Sequence, residues 1–161
     1  MERIHYHFPA EIDFERNYGY SADLRYLIKA VAGIHGKTGS SEFETPGPDI
    51  GAHQNMVRAK REVAVEISEK RMDFLPLTPQ NLAAVLPTVQ HHGMVDFRFT
   101  VKYSYFDKNF NKGVLQNDVF LVRATVDGNL NLQVAAVDGQ GRTLPEEIAN
   151  TIETQLKRFK G

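Results

Sequence analysis

Residues 95 to 106 alternate almost without error. Val95, Phe97, Phe99, Val101, Tyr103 and Tyr105 take one phase, and Asp96, Arg98, Thr100, Lys102 and Ser104 the other. Successive strand side chains point to opposite faces, so this pattern predicts a strand with one buried and one solvated face. The period of two returns at Phe120, Val122, Ala124 and Val126 and again at Leu130, Leu132, Val134 and Ala136, with Asp127-Gly128 between them as a hairpin signal. Parity constrains that turn. A two-residue loop would oppose Val126 to Asn129 and put Phe120, Val122 and Ala124 on a face with Ala135, Gln133 and Asn131. An odd-length loop, Val126-Asp127-Gly128, keeps the apolar faces together and predicts the pairs Ala124–Leu130, Val122–Leu132 and Phe120–Val134, with Gly128 left-handed.

Elsewhere the pattern is more broken. Ile4, Tyr6 and Phe8 predict a short first strand that Pro9 ends or places at an edge. Ser21 stands as N-cap of a helix with Asp23 in its first turn; Leu24, Leu27, Ile28 and Val31 form its apolar stripe, and Gly33 and Gly36 are its stop signals. Residues 34 to 55 look least structured, and the stretch from 36 to 49 is expected to be the most mobile. Val63, Val65 and Ile67 favour a strand over 61–68, although Met56, Ala59, Val63 and Ile67 also fit a helix face. Thr78-Pro79 predicts a helix start, with Leu82, Val85 and Leu86 on its buried side and Pro87 ending it. Residues 107 to 113 form a polar turn region. Thr143-Leu144-Pro145-Glu146 is a capping box opening a last helix, whose stripe is Ile148, Ile152, Leu156 and Phe159 and whose end carries Lys157, Arg158 and Lys160.

Together these elements predict a single α+β domain over 1–161: an antiparallel sheet, helices on one face, and a C-terminal amphipathic helix. A first strand, a helix, several antiparallel strands and a long last helix loosely resemble the helix-grip arrangement of START-type ligand-binding proteins. The resemblance is one of element order, and a shared order does not confer function.

Composition narrows the chemistry. The 161 residues are 42% hydrophobic and 24% charged, with a formal net charge of -1, which gives no overall attraction for nucleic acid or anionic lipid. There is no cysteine, so disulfides, zinc–thiolate sites and thiol nucleophiles are excluded. The N-terminus lacks the apolar run of a signal peptide, no segment reaches membrane-spanning length, and a cytoplasmic location is the expectation.

Recognisable catalytic motifs fail one by one. Gly33-Ile34-His35-Gly36-Lys37-Thr38 lacks the early glycine of a phosphate loop, and it follows a helix where a phosphate loop follows a strand. Pro48-Asp49 has no later Glu-x-Lys to complete a metal-dependent nuclease site. Asp107, Asn109, Asn111 and Asp118 match calcium-loop spacings, but Lys112 occupies the position that needs glycine. Gly39-Ser40-Ser41-Glu42-Phe43 has phenylalanine where a nucleophile elbow needs its second glycine. Arg58, Lys60 and Arg61 form a short basic cluster, diluted by Glu62, Glu66 and Glu69, and Tyr103 and Tyr105, which would stack on bases, fall on the apolar face.

The expected function is therefore non-catalytic binding or assembly through a protein surface, with a protein partner or self-association, no cofactor, no metal, and neither membrane nor nucleic acid as partner. The alternative is a pocket protein for a small apolar ligand, with enzymatic activity left open. The residues singled out for a pocket mouth or surface are His5, His7, His91, His92, Arg98, Tyr103 and Tyr105. His5 and His7 would share a strand face, with His53 or the His91-His92 pair as the remaining candidate metal ligands.

Overall fold

The computed structural model describes residues 8–21, 23–44, 56–68, 74–88, 93–106 and 112–160. In chain order the elements are β1 (Phe14–Asn17), α1 (Leu24–Ala32), β2 (Thr38–Glu44), β3 (Met56–Ser68), β4 (Phe74–Pro76), α2 (Leu82–Val85) with a 3-10 turn at Leu86–Thr88, β5 (Met94–Phe106), β6 (Lys112–Asp127), β7 (Asn129–Asp138) and α3 (Pro145–Lys160). This is the expected α+β fold. The strands form one antiparallel sheet in the order β1-β7-β6-β5-β3-β2, with short β4 also pairing with β3.

The alternation in β5 decides the layers. Val95, Phe97, Phe99, Val101 and Tyr103 are all buried and join one apolar cluster with Leu27, Ile28 and Val31 of α1 and Ile148, Ile152 and Leu156 of α3. Side chains of that size contribute roughly 1.5–3 kcal/mol each when fully buried. Phe159 of the same α3 stripe lies outside the residues whose side chains are described.

On the opposite face, oppositely charged partners meet directly across strands. Arg98 faces Glu66 and grips it with two hydrogen bonds, 2.9 and 2.8 Å, while stacking on Phe74. Arg123 faces Asp96 and does the same at 2.8 and 2.9 Å, under the ring of Phe8.

The β6–β7 turn has the expected odd parity but not the expected pairs. Val126 faces Leu130, Ala124 faces Leu132, Val122 faces Val134 and Phe120 faces Ala136, so the register closes two residues tighter around Gly128 (φ 78°). Parity follows from burial. The choice between loops of equal parity rests on the left-handed turn, which Gly128 adopts without a Cβ penalty.

Several expectations are corrected. The stretch from 38 to 44 is a strand, not a mobile connection. Its backbone pairs with residues 56–62 of β3, which itself runs longer than 61–68. The α1 N-cap is Asp23, not Ser21, its carboxylate accepting the Arg25 N–H at 2.7 Å. The helix after Thr78-Pro79 begins only at Leu82, because Thr78 and Asn81 hydrogen-bond each other in a turn first. The α3 cap is shifted by one residue, since Glu147 and not Glu146 reaches back to the Leu144 N–H at 2.7 Å. The 4–8 strand call, the 45–55 stretch and the 107–111 turn lie outside the described residues, apart from Phe8, which is not in a strand.

Candidate ligand pocket

β3 and β5 pair so that Arg61 lies beside Tyr103, Val63 beside Val101 and Val65 beside Phe99, all on the helix-bearing face. The turn after α1 comes down on the free edge of β3. Gly36 donates its N–H to the Val63 carbonyl at 2.7 Å, and Val63 donates to the Lys37 carbonyl at 3.1 Å. His35 Nδ1 accepts the Val65 N–H at 3.0 Å, filling the gap in the ladder between β2 and β4. These backbone bonds hold Ile34, Lys37 and Thr38 over the sheet, where the N-terminal half of α3 faces them.

A cavity of about 240 Å³ remains between the three elements. Ile34, Val63, Phe99, Val101 and Ile148 supply its apolar walls, and Lys37, Thr38, Arg61, Thr143, Glu147 and Thr151 its polar ones. The volume lies just under the ~300–1,000 Å³ usual for drug-sized ligands, so it suits a compact molecule. A second depression, of about 330 Å³, borders Asp118, Asp138, Gly139 and Gly141. Both of its carboxylates already accept backbone N–H groups of the β7–α3 connection, which marks it as a brace for that segment.

A chain of hydrogen bonds leads from the cavity wall into the core. Arg61 Nη1 donates to Thr143 Oγ1 at 3.3 Å; Thr143 Oγ1 and the Tyr103 hydroxyl are 2.5 Å apart; the Tyr103 hydroxyl donates to Asp118 Oδ2 at 2.6 Å. Its direction can be assigned. A carboxylate only accepts, so the phenol gives its proton to Asp118, and Thr143 must then give its own to the phenol oxygen, leaving Oγ1 to accept from Arg61. Asp118 also takes the Gly141 and Thr143 N–H groups, each at 3.0 Å. Burial, and next the bond to Asp118, push the Tyr103 phenol far above its ordinary range.

The cations of the wall are unequally matched. Arg61 lies 3.9 Å from Glu147 Oε1, beyond hydrogen-bonding range. Lys37 Nζ donates to the neutral amide of Gln155 at 2.9 Å, and among the described residues it has no counter-ion. The absence of a side chain at Gly33 lets that amide nest, because a Cβ there would sit 2.6 Å from Gln155 Nε2.

Of the residues singled out from sequence, Tyr103 is buried in the chain behind this cavity and Tyr105 is half-buried against the core. Arg98 lies on the opposite face of the sheet in its pair with Glu66, so it does not meet the tyrosines. His5, His7, His91, His92 and His53 lie outside the described residues. Among the described residues no group of three or more metal-ligating side chains comes together. No helix among them is long and apolar enough to cross a membrane.

Lys37, Arg61 and Thr143 were each visible in sequence, as a turn lysine, part of a basic cluster and a helix cap. Their spacings of 24 and 82 residues carry no periodic signal. Asp118 did leave one: it occupies the core phase of Phe120, Val122 and Ala124, where an acid needs a reason. Compared with protein-family models, curated proteins and solved structures, the chain finds no match.

Proposed function

We propose that this protein binds a small molecule with an apolar body in the cavity between α3 and the sheet. One observation supports the reading: a space of about 240 Å³ walled by Ile34, Val63, Phe99, Val101 and Ile148 and rimmed by convergent polar groups. We read the role as binding without conversion, because both carboxylates at or behind the wall are engaged, Glu147 by the Leu144 N–H and Asp118 by Tyr103, Gly141 and Thr143.

Titration with neutral probes of graded size (cyclohexanol, hexanol, benzyl alcohol), followed by amide chemical shifts, tests this. Saturable shifts at Val63, Val101, Ile148 and Thr151, lost in Thr151→Phe, are expected. Shifts confined to other surfaces, or none at any concentration, would overturn it. Light scattering run alongside tests the assembly reading: a stable oligomer with no probe response would favour that role.

A further inference from the structure

We propose that the cavity selects a carboxylate ligand, its anionic group taken by Arg61 and Lys37 and its apolar body lying against Val63, Phe99 and Val101. This rests on the pocket reading above and adds the chemical class of ligand.

The charges on the wall carry the inference. Two cations face one carboxylate, Glu147, and that carboxylate is already committed through Oε2 to the Leu144 N–H at 2.7 Å. Its other oxygen stands 3.9 Å from Arg61, too far for a hydrogen bond. Lys37 keeps two N–H donors beyond the one given to Gln155. Two of the three wall hydroxyls do not compete for this role, and that of Thr38 adds at most a neutral donor beside the cations. Thr143 gives its proton to Tyr103, and Thr151 donates to the Glu147 carbonyl at 2.7 Å, so neither is a free donor.

The shape of Arg61 narrows the anion. Its Nη1 is pinned by Thr143, which Tyr103 and Asp118 hold in turn from the core. Among the described residues, its Nε and Nη2 edge has no hydrogen-bond partner. A planar fork fixed at one nitrogen and free along the other edge matches the two oxygens of a carboxylate, with Lys37 adding a point charge. Thr143 and Tyr103 are then positioning residues.

Paired probes test both levels: benzoate against benzamide, and hexanoate against hexanamide, titrated into the full chain at neutral pH with amide shifts at Val63, Val101 and Thr151 as readout. Each carboxylate should bind at least tenfold more tightly than its amide. Arg61→Gln and Lys37→Met should each lower carboxylate affinity by a larger factor than amide affinity, and so remove most of that preference. Glu147→Gln keeps an oxygen for the Leu144 N–H but removes the competing charge, so it should raise carboxylate affinity. Equal binding of the two series in the cavity would overturn the carboxylate assignment and leave the pocket standing. Inorganic phosphate displacing benzoate at equal or better affinity would overturn it also. No shifts at cavity residues from either series would overturn both.

Discussion

Tyr103 and Asp118 are hydrogen-bonded at 2.6 Å without being register partners. Tyr103 faces Leu115 and Asp118 faces Val101, because one extra residue of β6 is accommodated between those pairs. The bulge switches the phase of β6, so that Leu115 and Asp118 both turn toward the helices. An acid is thereby placed in the core, where one phenol and two backbone N–H groups satisfy it.

Removing the two partners should therefore have unequal effects. Tyr103→Phe keeps the ring and leaves Asp118 its Gly141 and Thr143 donors, and it should cost about 1–3 kcal/mol. Asp118→Ala removes the shared acceptor of three donors at once and should cost clearly more. Urea denaturation of both variants measures the order; equal losses would mean that the carboxylate is not the hub.

Alkaline pH should unfold this protein early. Burial foremost, then Glu153, pushes the Tyr18 phenol from 10 up to about 12, and Tyr20 and Tyr103 move in the same direction. A phenol whose native pKa is raised contributes stability in full below its unfolded pKa, and that contribution is lost as pH rises through the native value. Stability should then fall from about pH 10 upward. Tyrosinate absorbance at these sites should appear together with loss of far-UV ellipticity, and Tyr103→Phe should flatten the pH slope.

The two arginine pairs of the outer face look alike but should differ in worth. Asp96 is 3% exposed and Glu66 26%. Asp96→Ala leaves Arg123, itself a quarter exposed, without its main counter-ion and should cost about 1–3 kcal/mol, as for a charged group losing its hydrogen-bond partner. Glu66→Ala should cost about 0–1 kcal/mol, as for a solvated pair. Guanidinium melts of both variants, with unchanged m-values, check the contrast.

Hydrogen exchange should show the turn after α1 docked. The Gly36 and Val63 amides, bonded to Val63 and Lys37 carbonyls, are expected to exchange slowly, and trypsin should cut at Lys37 only after unfolding. Fast exchange at both amides would mean that Lys37 is not held over the cavity.

Periodicity alone determined the elements whose burial is one-sided. The apolar phases of β5, β6 and β7, the stripe Leu24-Leu27-Ile28-Val31, and the stripe through Ile148, Ile152 and Leu156 all face one core, because a strand or helix with a single apolar side has only one way to hide it. The same logic reached the parity of the Gly128 turn and stopped there, since shifting a register by two residues leaves every side chain on its face.

What the tertiary structure decided is where backbone groups and polar side chains find partners. Thr38–Glu44, polar and rich in Gly and Ser, carries no strand pattern; it is ordered as β2 because the long edge of β3 presents amides and carbonyls to be paired. Thr143 reads as a helix cap, yet it turns inward to Tyr103 while Glu147 caps Leu144. Arg61 reads as one of three clustered basic residues until its pairing with Tyr103 sets it on the cavity wall. Local sequence specifies which faces are apolar; a hydrogen bond across 82 residues exists only once the sheet has closed.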